Sequence, residues 1–203
     1  MAIRISKNKL LLVEGNHEVQ FFAKLLQSMQ IDNIQVEPVG GQYNFKPSME
    51  ILPKLDNFDN VRAIGIIRDA DDSFEDTFSS VQGALRDAGL PVPNQPLTLT
   101  GNRPQVAVFI TPDNNNRGDL EELCLASVQD DPILECVERY FDCLRPIQGT
   151  DHPHISKARM QVFLAKEPDG DIHMGIASRR GIWDWNSQAF DEIKTFVRSL
   201  SSI

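Results

Sequence analysis

Cysteine is scarce and unpaired in this chain of 203 residues: Cys124, Cys136 and Cys143 are odd in number and lack CxxC spacing. That argues against a disulfide framework or a structural zinc site and leaves buried thiols in helical sequence as the expectation. Long apolar runs are missing too, and no stretch approaches the roughly 18 consecutive apolar residues of a membrane span. Met1 to Lys9 alternates basic and apolar residues, without the h-region and cleavage site of a secretory signal, so a cytoplasmic location is expected. Positive charge is in deficit, with 20 Lys and Arg against 29 Asp and Glu for a net charge of −9. Such a balance disfavours broad adhesion to nucleic acid or anionic membranes, which rests on neutralising phosphates. A local basic strip, such as Lys157, Arg159, Arg179 and Arg180, could still meet a nucleic-acid backbone. Internal repeats and low-complexity segments are absent.

What is present reads as alternating strands and helices. Residues 9–13 form an apolar strand-like run, and in residues 16–30 Val19, Phe22, Ala23, Leu26 and Met29 recur at helical spacing. A second strand, 34–39, ends in Gly40-Gly41, and a short helix is expected over 48–55 despite Pro53. Residues 61–67 are nearly all apolar, as expected for a central parallel strand covered on both faces. A helix over about 73–88 follows, and then a Pro-rich patch, 91–96. Residues 97–100 and 106–111 read as the arms of a hairpin, the second arm the more buried. Beyond a polar loop the remainder is mainly helical: 119–127, 132–144, a stretch from Asp151 and a closing helix over 189–200. The expected fold is α/β, a mostly parallel, Rossmann-like sheet flanked by helices over 1–127, with a helical C-terminal extension, 128–203, packed on it.

Two acidic sites stand just past apolar strands, where open α/β sheets place their ligands. One is Glu14-Gly15, the other Asp69-Ala70-Asp71-Asp72. In an extended or turning segment, side chains two apart point to one side, so Asp69 and Asp71 can face a single cation. The bland alternative is that Asp72-Ser73 caps the next helix and the other acids are solvated turn residues. A charged Glu14 at the end of a buried strand must be paired, ligating or exposed in a crevice. Glu18, one turn later, could reach the same side or simply offset the helix dipole. Gly40 and Gly41 permit the close approach of a phosphate or substrate backbone. Glu121 sits one turn into the helix after the polar loop, as a further ligand or a helix-start acid.

This order of motifs resembles the Toprim domain shared by topoisomerases, bacterial primases, a 5S ribosomal RNA maturase, recombination proteins and OLD (overcoming-lysogenization-defect) nucleases. The resemblance covers about residues 8–127, and Val13-Glu14-Gly15 with Glu18, together with Gly118 to Glu122, looks most like the OLD-like branch and small stand-alone bacterial relatives. It implies that Glu14 is the acid/base residue and a metal ligand, that Asp69 and Asp71 hold Mg²⁺ or Mn²⁺, and that Glu121 or Glu18 completes a second site. It further implies phosphodiester cleavage or transfer on nucleic acid with two metals. OLD-like nucleases carry a lysine after the core, which suggests Lys157, with Arg159 as a phosphate contact; the competing reading is helix-surface charge. No GxxxxGK[ST] segment is present, and Tyr43 and Tyr140 stand in no topoisomerase context, which sets aside the ATPase and topoisomerase functions of the family.

Other features have simpler readings. His152 and His154, around Pro153, read as a solvated loop, and Trp183 and Trp185 as anchors of a terminal segment in preference to base-stacking platforms. The leading functional expectation is a Mg²⁺-dependent nuclease or related phosphodiester-transfer enzyme. One alternative is a non-catalytic module binding nucleic acid, a partner protein or a second copy of the chain. Another is a DxD-type nucleotide-sugar or phosphoryl transferase using Asp69 and Asp71.

Overall fold

The computed structural model describes residues 3–150, 152, 154–170 and 172–203. Four strands form one sheet: β1 (Lys9–Val13), β2 (Gln35–Pro38), β3 (Ala63–Asp69) and β4 (Gln105–Thr111), in the order β2-β1-β3-β4. Every neighbouring pair is parallel. Helices α1 (Asn16–Ser28), α2 (Phe45–Ile51) and α3 (Phe74–Asp87) connect the strands, and α4 (Leu120–Ala126) follows β4. Four more complete the chain: α5 (Ile133–Gln148), α6 (Ile155–Leu164), α7 (Met174–Arg180) and α8 (Asp191–Ser201). The architecture is the expected α/β fold with helices after the sheet. Among the described residues no helix is long and apolar enough to cross a membrane.

Alternation along the central strands divides the interior in two. Leu10, Leu12, Ile64, Ile66, Val106 and Val108 point to one face, where they pack with Phe45 and Met49 of α2 and Phe78 and Val81 of α3. Leu11, Val13, Ala63, Ile67, Ala107 and Phe109 point to the other, into a cluster built with α1 and with the helices after β4. Burial on both faces explains why β1 and β3 read as continuous apolar runs. Gly65 lets α8 approach the middle of β3: a Cβ there would lie 2.2 Å from Leu200 Cδ1 and 3.2 Å from Phe196.

Several local expectations need correction. Residues 97–100 form no regular hairpin arm; Leu97 takes a left-handed φ of 64°, and the segment's backbone pairs with β4 through an isolated antiparallel Thr100–Val106 bridge and the Leu97 amide on the Val108 carbonyl. The second helix runs earlier than expected, because Leu52-Pro53-Lys54 tightens into a 3₁₀ turn. Only Cys124 is buried; Cys136 and Cys143 are exposed, because α5 buries just a narrow stripe, Val137 and Phe141. Helix α7 was not foreseen. It lies against α1 through Gly175, whose missing side chain leaves room for Gln20 Cβ, 2.7 Å from where a Cβ would stand. The stretch expected to turn helical at Asp151 does so at Ile155; Asp151 and Pro153 lie outside the described residues. Trp183 is fully buried, donates to Ser178 Oγ (3.0 Å) and stacks on Phe163, while Trp185 lies against Phe21 and Phe190. Both are anchors of the C-terminal segment.

Because Gly65 is closed in by α8 and by Leu11, Gly65→Val should overpack the core and lower stability by about 1–3 kcal/mol in urea unfolding. Unchanged stability would mean that α8 does not bear on the sheet as described.

Candidate functional site

The chain leaves β1 for β2 on one side and returns through α2 to β3 on the other, so strand order reverses between β1 and β3. A crevice opens outside the carboxyl ends of strands at such a switch point. Glu14 follows β1 and Asp69 ends β3 at that edge. Glu14 Oε1 accepts from Arg68 Nε at 2.5 Å and lies 3.4 Å from the Asp69 amide. Gly40 and Gly41, both at positive φ, donate their amides to the Glu14 carbonyl at 3.0 and 2.8 Å. As they stand, therefore, the glycine pair fixes the backbone beneath Glu14, while space remains open beside Gly41, where a Cβ would meet nothing within 4 Å.

Asp69 is the buried centre. Its Oδ1 accepts from Thr111 Oγ1 (2.6 Å) and from the Leu120 amide (3.0 Å), tying β3 to β4 and to the start of α4. Its Oδ2 accepts no hydrogen bond among the described residues. Burial first, and then the charges of Glu14 and Glu121, raise this carboxyl well above its ordinary range, against the opposing Thr111 hydrogen bond. Asp71 is exposed and takes a left-handed φ of 49°, which Asp tolerates better than most residues. Its amide and carbonyl pair with Gly118 at 2.9 and 3.0 Å, so the loops after β3 and β4 are stitched together. Burial and Glu14 raise the Asp71 carboxyl, while Lys157 and Arg68 oppose the shift.

A second set of acids comes from α4 and α1. Asp119 caps α4 by accepting from the Glu122 amide (3.1 Å), and its other oxygen accepts from Ser156 Oγ of α6. Glu121 is pushed to about 7 by burial and by Asp119, with Lys157 opposing and Glu18 adding to the rise. Lys157 stands on α6 facing both sets: burial lowers its pKa, but Glu121, Asp69, Asp119 and Asp71 together raise it. No ion pair holds Lys157 among the described residues. Lys157 is thus an exposed cation on the surface of α6, as the helix-surface reading has it, and its charge bears on the acidic edge.

Charge links Asp69 to Glu14 and Glu121, Asp71 to Glu14, and Lys157 to Glu121, Asp69 and Asp71, whereas Glu18 bears on Glu121 alone of this set. Arg159 does not join them. Two residues from Lys157 on a helix, it faces elsewhere and pairs with Glu138 at 2.7 Å. Arg180 is likewise occupied by Asp169 and Glu167, so the four basic residues do not act as one strip. Sequence reasoning missed Arg68, Thr111 and Ser156. Arg68 carried a signal, since it is the one charged residue inside the apolar run that leads to Asp69. Among the described residues no three His, Cys, Asp or Glu side chains stand close enough to hold one ion in this conformation. The donor chemistry nevertheless suits a hard cation: carboxylate oxygens, one of them buried with Oδ2 unbonded, in excess over the nearby positive charges.

Glu121 supplies a pH test. A carboxyl at about 7 when folded and near 4.5 when unfolded binds its proton more tightly in the folded state. Stability contributed by the protonated form is thus present below about 4.5 and lost as pH rises through about 7. In chelator, Glu121→Gln should flatten the fall of Tm over this window and raise Tm at pH 8 (~8, above both values) relative to wild type. Parallel Tm–pH curves for the two proteins would refute the assignment.

The fold has recognisable counterparts among solved structures. The C-terminal region of the OLD protein of Xanthomonas campestris pv. campestris aligns with a TM-score of 0.53 at 17% identity, covering 97% of this chain and 95% of that one. A hypothetical protein from Pyrococcus horikoshii aligns with a TM-score of 0.62 at 16% identity, covering 97% and 95%. At such identities the likeness concerns the fold. No curated protein matches the chain. A family model spans residues 8–202, nearly the whole sequence, and by it the chain belongs to the family described as protein of unknown function DUF3226.

Proposed function

We propose that this protein is a divalent-metal-dependent phosphodiesterase of Toprim-like type, acting on nucleic acid at the edge between β1 and β3. The observation that carries the proposal is the buried Asp69 carboxyl at the end of a central strand, crowded by Glu14 and Glu121 and overlooked by Lys157, which no ion pair holds among the described residues. Burying like charges together is costly, and a cation or a catalytic duty is the usual reason for keeping them. The shared fold with the OLD protein's C-terminal region supports a nuclease-related reading.

Glu14, Asp69 and Asp71 would hold one Mg²⁺ or Mn²⁺, and Glu121 with Glu18 a second. When bound, such ions neutralise phosphate charge and make water a usable nucleophile near neutral pH. Holding an ion requires the acidic side chains to re-orient from their present rotamers. The chain's own groups divide the remaining work. Arg68 and the Asp69 amide orient Glu14, the candidate proton acceptor for the attacking water. Lys157 offers a positive charge to a developing phosphorane oxygen.

The non-catalytic binding-module reading has its own support: Glu14 is engaged by Arg68, and among the described residues no three candidate ligands meet in this conformation. A transferase built on Asp69 and Asp71 alone would leave Glu14, Glu121 and Lys157 without a part.

Purified protein with Mn²⁺ should cleave plasmid, single-stranded DNA or RNA. Chelator should stop it, and Glu14→Gln should lower the rate by roughly 100-fold or more with the fold retained. Lys157→Ala should lower kcat more than it raises KM. Calorimetric Mn²⁺ binding without cleavage of any of the three substrates would favour the binding module; activity unaffected by Glu14→Gln would refute the mechanism.

A further inference from the structure

We infer that Arg68 is the resident counter-cation of the acidic edge: it holds Glu14 in the metal-free protein and competes with a divalent ion for that carboxylate, which sets the concentration at which the edge loads. This rests on the reading of Glu14 as a metal ligand and adds the residue that governs its occupancy. The contact that orients Glu14 is also the contact that an arriving ion has to meet.

Arg68 is the one charged residue of β3 before Asp69, and it is buried. A guanidinium does not give up its proton in a protein, so its burial has to be met by a partner. Glu14 is that partner: Nε donates to Oε1 at 2.5 Å, the single ion pair of Arg68 among the described residues. The two side chains are 4% and 20% exposed, so water and salt screen this pair far less than a surface bridge. The guanidinium also lies over the ring of buried Phe45, with Cζ 4.9 Å from the centroid.

Both ends of the contact are thereby fixed. Phe45 opens α2 just beyond the turn whose Gly40 and Gly41 amides hold the Glu14 carbonyl, so one short segment braces the backbone of Glu14 and the cation on its side chain. With Glu14 held in this way, no three His, Cys, Asp or Glu side chains come together among the described residues. The charge of Arg68 also reaches Asp71, a second candidate ligand. A carboxylate that already carries a fixed positive partner attracts a second cation less, and drawing it away would strand a buried guanidinium. Apparent affinity for the ion is therefore reduced by the fraction of molecules in which Glu14 is released.

The experiment is calorimetric Mn²⁺ titration of wild type, Arg68→Met, Arg68→Lys and, as a control for the loss of one positive charge, Arg86→Met in the last turn of α3. Arg68→Met should bind Mn²⁺ at least about fivefold more tightly than wild type, and Arg86→Met like wild type. Arg68→Lys, which restores the charge without the planar fork, should fall between. In chelator Arg68→Met should melt below wild type, and saturating Mn²⁺ should raise its Tm by more than it raises that of wild type. Should Arg68→Met fail to fold, Phe45→Leu decides in its place: it loosens the guanidinium without removing it and should tighten Mn²⁺ binding by about twofold or more. Equal or weaker binding by the deciding variant, a like gain in Arg86→Met, or no Mn²⁺ binding by any of the proteins overturns the counter-cation role, even if wild type cleaves nucleic acid. Tighter binding by the deciding variant, in a protein whose wild type never cleaves with Mn²⁺, supports that role and overturns the catalytic reading alone.

Discussion

A single carboxylate organises this molecule's working edge. Asp69 ends the longest buried run of the sheet, and its Oδ1 receives both the Thr111 hydroxyl and the Leu120 amide. Those two bonds hold the end of β4 and the start of α4 against the end of β3, which in turn sets where Glu121 and Asp119 stand. The Asp71–Gly118 pairing repeats the link one loop further out. A group with so many structural duties would ordinarily be neutral or paired, yet Glu14 and Glu121 crowd it with like charge. Burial and those neighbouring charges disfavour its ionised form.

The helices after β4 take part in both halves of this arrangement. They fill one face of the sheet through α8, whose Phe196 and Leu200 press on Gly65. They also bring in side chains that no strand could supply: α6 contributes Lys157 towards the acids and Ser156 to Asp119. Packing and chemistry are coupled here, since the contacts that seat α6 against α4 and α5 also determine how far Lys157 stands from Asp69.

Charge is distributed with a matching economy. The acids that make the chain anionic overall concentrate partly at the edge, and the adjoining groove, between the turn at residues 117–119, α5 and α6, is lined by both signs, Arg117, Arg145 and Arg159 beside Asp71, Asp72, Asp119 and Glu122. Repulsion from the whole molecule, of net charge −9, discourages indiscriminate adhesion to polyanions. The remaining basic pairs on the surface, such as Lys46 with Asp87, are solvent-exposed and locally satisfied.

The sequence by itself determined the parallel sheet. Apolar runs bounded by turns can be buried on both faces only if helices cover both, and this is written in residues 9–13 and 61–67 without reference to anything distant. It also located Glu14, Asp69 and Asp71, because a carboxylate just past a buried strand has only the crevice to enter. The partners of those acids were another matter. Arg68 on Glu14, Thr111 on Asp69 and Ser156 on Asp119 join residues 54, 42 and 37 positions apart, and no local periodicity encodes such distances. Helix α7 escaped notice because it is short and its defining feature, the gap at Gly175, has meaning only against Gln20 of α1. Lys157 and Arg159 looked like one basic strip in the chain; helical rotation sends one to the acidic edge and the other to the groove, a separation that only the docking of α6 decided.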